Sequence, residues 1–112
     1  MKPILILLTC ALFSCCSLQA QNAPANELAK KIADKMMDSL VLTQSQRSKV
    51  FAINMRIHQD KMEVRRQYQS RDSVGRGLQL VENKRDSLYR GVLDATQFSL
   101  YQQKKRNLVN NN

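Results

Sequence analysis

The chain is 112 residues long and carries 18 lysines and arginines against 9 aspartates and glutamates, a net charge of +9. That length holds one small domain and no more. One histidine, three glutamates and a Gly75-Arg76-Gly77 stretch too short for a phosphate loop do not supply a nucleophile and its base. The chain is therefore not read as an enzyme, and no cofactor is expected.

Lys2, an apolar run over residues 4–13 and small residues ending at Ala20 have the layout of a secretory signal. The apolar run is about half of what a membrane-spanning helix needs, so removal after Ala20 is expected. Leu12-Phe13-Ser14-Cys15 offers a second reading, in which Cys15 is lipidated and anchors the protein. Cys10, Cys15 and Cys16 all lie in this leader, which leaves the mature chain no thiol for a disulfide or a nucleophile. Without residues 1–20 the chain keeps 92 residues, 17 basic and 9 acidic, of which 21 are Leu, Ile, Val or Phe. That apolar share is close to the level at which chains become disordered, and a homodimer would relieve the thin core.

Residues 21–25, with Pro24, read as a short flexible tail, and 26–109 as a single helical domain. Leu28, Ile32, Met36 and Leu40 recur every fourth residue after a capping Asn26, which predicts the first helix. Val41-Leu42-Thr43-Gln44-Ser45-Gln46 then reads as a capping box. The Thr43 hydroxyl can accept from an N–H one turn in, while Gln46 reaches back to the Thr43 N–H. A second helix follows over 44–72, about 40 Å long. Val50, Ile53, Ile57, Val64 and Tyr68 share one stripe of it, widened by Phe51, Met55 and Met62. Its polar far end, residues 65–72, is expected to project into solvent or meet a partner.

Gly75 and Gly77 predict a turn between helices. Apolar spacing also runs in register through them, as in one kinked helix about 70 Å long, and the turn is preferred because that length is excessive for so small a domain. The third helix is placed over 76–93, burying Leu78, Val81, Leu88 and Val92. A second box, Val92-Leu93-Asp94-Ala95-Thr96-Gln97, opens the fourth helix, and Leu93 can staple onto Phe98; the first box has Arg47 there and no staple. Phe98, Tyr101 and Leu108 should face inward, Lys104, Lys105 and Arg106 outward, and residues 110–112 should fray. No stretch alternates with period two. The fold expected is all-α, with four helices including a long helical hairpin, paired as a dimer.

Leu42-Thr43-Gln44-Ser45-Gln46 is an LTxxQ motif, and Leu93-Asp94-Ala95-Thr96-Gln97 is the same motif with Asp for Thr. Paired LTxxQ motifs in a small, exported, charge-rich helical chain resemble the Spy/CpxP family of bacterial envelope-stress proteins. The resemblance implies a periplasmic location and long helical hairpins that pair into a curved dimer. It also implies one of three roles: an ATP-independent chaperone for unfolded envelope proteins, a regulator of a sensor protein, or a metal binder. Leu42, Thr43, Gln46, Leu93, Asp94 and Gln97 carry over as architectural positions.

Two residue sets could carry function. Arg47, Arg56, Arg65, Arg66, Arg71, Arg76, Arg85 and Arg90 spread along the second and third helices. A basic amphipathic surface would draw acidic segments of unfolded chains from a distance and hold them by apolar contact. The same charges could touch an anionic membrane surface, whereas nucleic acid is not expected as a partner, for there are no interleaved aromatics on which bases could stack. Met55, His58 and Met62 sit at i, i+3 and i+7 and offer two thioethers and an imidazole, a soft set suited to Cu(I) or Ag(I). The plainer reading of these three is core filling.

Overall fold

Four runs of helical periodicity become four helices in the computed structural model, which describes residues 16–109, with side chains from Pro24 onward. They are α1 (Cys16–Leu40), α2 (Gln44–Gln67), α3 (Arg71–Arg90) and α4 (Ala95–Val109). No strand occurs among the described residues, and the protein is all-α. Residues 21–25, expected to be a flexible tail, instead continue α1, and Ala25 is buried. The expected leader up to residue 15, with Cys15, and the fraying end at residues 110–112 lie outside the described residues.

Helix α1 packs along α2 and α4, and α2 packs along α3. The core gathers where these helices converge. It is built from Ile32, Ala33, Met36 and Leu40 of α1, Leu42 and Val50, Tyr89 and Leu93, and Phe98, Tyr101, Leu108 and Val109 of α4. Leu28, placed on the inner stripe by its spacing, is 39% exposed. The buried line runs through Ala25, Ala29 and Ala33 instead, small residues that let α1 approach its neighbours closely. Between residues 58 and 80 no residue is buried, so the hairpin of α2 and α3 carries its tip away from the core.

The α2–α3 turn falls at residues 68–70, not at the glycines. Tyr68 and Ser70 adopt extended backbone angles, and Ser70 Oγ accepts from the Ser73 N–H at 3.1 Å with Asp72 in the first turn. That cap overrides the glycine signal, and α3 runs straight through Gly75 and Gly77. Gly77 serves a close approach: a Cβ there would lie 2.7 Å from Val64 Cγ1 across the hairpin. A Cβ on Gly75 would meet nothing within 4 Å. On α3 the buried residues are Val81, Arg85 and Tyr89, while Leu78, Leu88 and Val92 are only half-buried.

Helix α1 ends in strain. Val41 has φ of +56°, a left-handed conformation that a β-branched side chain resists, and it is 81% exposed. The Leu42 N–H bonds Met37 O at 3.1 Å, closing the helix end although no glycine is there to ease it.

The two glycines should respond oppositely to alanine. Gly75→Ala should raise stability by about 0.5–1 kcal/mol, because only the helix-propensity gain operates. Gly77→Ala should lose that gain to the clash with Val64, and recover it in a Val64→Ala background. Urea midpoints of the parent, the three single variants and the Val64→Ala/Gly77→Ala double variant check this.

Candidate functional site

Both capping boxes form. Thr43 Oγ1 accepts from the Gln46 N–H at 3.1 Å and Gln46 Oε1 accepts from the Thr43 N–H at 3.0 Å. Asp94 Oδ1 accepts from the Gln97 N–H at 2.7 Å, and Gln97 Oε1 accepts from the Asp94 N–H at 3.0 Å. Each carboxamide oxygen is thereby committed to its own cap, and each Nε2 is left to reach outward. What it reaches is the other box. Gln46 Nε2 donates to Val92 O at 3.1 Å and to Gln97 Oε1 at 2.7 Å; Gln97 Nε2 donates to Val41 O and to Gln46 Oε1, both at 3.2 Å. The two LTxxQ-type segments therefore face each other in a near-symmetric exchange. Leu93 and Phe98 share the core as a staple predicts, and Arg47, in the staple position of the first box, instead pairs with Asp34 of α1. Arg47 and then Lys30 hold the Asp34 carboxyl below its usual range.

A second polar link was not legible in the apolar stripes. Asn54 Nδ2 donates to Ala29 O at 3.1 Å, and its Oδ1 accepts from the Tyr89 hydroxyl. The Tyr89 ring meets Tyr101 edge to face, 4.9 Å between centroids, and the Tyr101 hydroxyl donates to Asp86 at 2.7 Å. Burial pushes both phenols above their ordinary range. Asn54, Tyr89 and Tyr101 thus connect all four helices. Asn54 lies four residues after Val50 and three before Ile57, so its place on the stripe was visible, but its polarity hid it.

The eight candidate arginines do not form one basic face. Arg47 is spent on Asp34. Arg85 is only 4% exposed and bonds Glu82, so it is not available to a macromolecular partner at the surface. Arg66 pairs with Glu63, and Arg90 lies over the Phe98 ring at 4.7 Å. Arg56, Arg65, Arg71 and Arg76 are exposed, and among the described residues no carboxylate lies in ion-pair range of them. Of the outward set on α4, Lys104 and Arg106 are exposed, while Lys105 is half-buried against Asp86 at 2.9 Å.

Large apolar side chains accompany the free arginines. Met62 and Tyr68, placed on the inner stripe by spacing, are exposed, and Leu80 of α3 is 68% exposed. Val64, Tyr68, Gly77, Leu80 and Val81 line a shallow groove of about 280 Å³ between α2 and α3 near the tip. Met55, His58 and Met62 do come together, lining one groove with Ala25, Gln59, Glu63 and Arg66. Met36 is enclosed in the core and Met37 packs against it. Among the described residues no three His, Cys, Asp or Glu side chains cluster as a metal site would require.

Comparison with known proteins gives no match to a family model, a curated protein or a solved structure.

The exchange between the boxes makes Gln46 and Gln97 energetically coupled. Gln46→Ala and Gln97→Ala should each cost about 1–2 kcal/mol, and the double variant should cost about 1 kcal/mol less than their sum. A double-mutant cycle by urea unfolding measures the coupling; strict additivity would contradict it.

Proposed function

We propose that this is an exported, non-enzymatic binding protein that captures partly unfolded, acidic protein segments on the α2–α3 hairpin in a chaperone-like manner. The observation that carries the reading is the combination at the hairpin: unpaired Arg56, Arg65, Arg71 and Arg76 beside exposed Met62, Tyr68 and Leu80. Cationic groups draw an acidic chain from about a Debye length away, and apolar side chains then hold it. The resemblance of the paired LTxxQ-type boxes to the Spy/CpxP family supports the same role and a periplasmic location.

Pro24 supports export. In the chain with its leader, Pro24 sits inside α1, where its ring crowds the carbonyl four residues back and it gives no N–H to the helix. That carbonyl belongs to Ala20. Cleavage after Ala20 would make Pro24 the fourth residue, within the turn whose N–H groups have no intrahelical acceptor. No helix among the described residues is long and apolar enough to cross a membrane.

Mixed at equal molarity with an aggregating acidic client, the purified protein should delay light scattering at low salt. The delay should shrink several-fold near 0.5 M salt, where the Debye length is about 4 Å. Replacing Arg65, Arg71 and Arg76 together with Glu should abolish it. No delay at low salt sinks the proposal.

A second reading follows from the shared groove of Met55, His58 and Met62: capture of Cu(I) or Ag(I) in stress defence. Titration of Cu(I) against a competing chelator should show affinity that falls at least tenfold in His58→Ala or Met55→Leu. Equal affinity in parent and variants removes this reading.

A further inference from the structure

We propose that the cavity at which the four helices converge binds a small carboxylate bearing a short apolar tail. This cavity has a volume of about 220 Å³ and is separate from the hairpin groove. Part of its wall is apolar, formed by Ala29 and Ile32 of α1, Ile57 of α2 and Val109 of α4. The same lining also carries Asn54, His58, Lys61, Arg65 and Arg85.

Arg85 is what marks the cavity as a binding site. Its side chain is 4% exposed, and its Nη1 donates to both Glu82 oxygens at 3.1 Å. Its Nε is fully enclosed and has no acceptor. A buried guanidinium is costly unless its charge is matched, and Arg85 must share its one carboxylate, Glu82, with Lys61 and Lys105, so a carboxylate in the cavity would supply the charge it lacks. The local charge points the same way. Glu82 already serves three cations, Arg85, Lys61 at 2.5 Å and Lys105 at 4.0 Å, while Arg65 at the cavity has no carboxylate partner among the described residues. One further negative charge would offset part of this excess. A single carboxylate supplies it, and the apolar part of the wall at Ala29, Ile32, Ile57 and Val109 favours a ligand whose remainder is uncharged.

The volume sets the length of the tail. At about 30 Å³ per water-sized volume, the cavity holds roughly seven such units, which suits a carboxyl group and a tail of about five to seven carbons. Half-exposed Leu28 borders the cavity and gives a longer tail a way out. A free fatty acid and the C-terminal end of an apolar peptide present the same chemistry.

Calorimetric titration of the purified protein with octanoate, octanol and octylamine tests the site. Octanoate should bind at least tenfold more tightly than octanol, and octylamine should not bind. Equal binding of octanoate and octanol, or no octanoate binding, overturns the proposal. Arg85→Met should remove the preference for octanoate. Because that variant can fail to fold, exposed Arg65→Gln decides independently: it should weaken octanoate at least threefold with an unchanged helical spectrum. An Arg65→Gln variant that binds octanoate as the parent does overturns the cationic head site. Ala-Leu-Val as free acid and as amide separates the sources. A free acid that binds more tightly than octanoate identifies peptide ends as the ligand, and a weaker one identifies fatty acids. Where the tripeptide acid binds, an amide that binds equally overturns the role of the carboxylate.

Discussion

The exchange of carboxamides between Gln46 and Gln97 is the constraint on which the arrangement of the helices rests. Each glutamine uses its oxygen to close its own capping box and its nitrogen to reach the backbone of the other. Two helix starts are thereby held side by side, 51 residues apart in sequence. Bringing two helix N-termini together also brings together two positive dipole ends, each of roughly half a unit charge. The anionic cap Asp94, where the first box has neutral Thr43, offsets part of that repulsion. Val41 accepts a left-handed conformation in the same joint, and its carbonyl is one of the acceptors the exchange requires.

From this joint the helices lead to the polar relay through Asn54, Tyr89 and Tyr101. The joint orients α2 and α4 at their starts, and the relay ties the middle of α2 to α1, α3 and α4. Together they let a chain with few large apolar residues specify one packing, since buried hydrogen bonds tolerate fewer alternatives than apolar contact does. Between residues 58 and 80 nothing is buried, and the tip of the hairpin is held by Val64 against Gly77 and by surface ion pairs such as Lys84 with Asp60. Exposed pairs of this kind contribute about 1 kcal/mol or less. Arg65, Arg71 and Arg76, with Met62, Tyr68 and Leu80, therefore lie on the least firmly packed part of the molecule, as binding elements commonly do.

The division of charge follows the same geometry. Arg47 and Arg85 lie near the core, where burial obliges a cation to find a carboxylate, and they are structural. Arg56, Arg65, Arg71 and Arg76 lie where no such obligation exists. Arg65 alone stands at both places, exposed on α2 yet at the edge of the interior cavity that Arg85 lines.

Helix starts were legible in the sequence, because a cap is a contact between residues three apart. Thr43 with Gln46 and Asp94 with Gln97 placed two of them, and Ser70 with Asp72 would have placed a third had the glycines not outweighed them. The four-helix, all-α class followed from periodicity alone. Periodicity could not tell that Gly77 marks a close approach and not a turn, because Val64 lies on another helix. Nor could it reveal which arginines are free: Arg47 meets Asp34 across 13 residues, and the relay from Asn54 to Tyr89 spans 35. The chain by itself determined where α2 and α4 begin and what kind of fold the helices make, since those depend on neighbours within one turn. Only the tertiary structure decided which charges are spent and which remain for a partner, because a charge is neutralised by whatever the fold brings beside it.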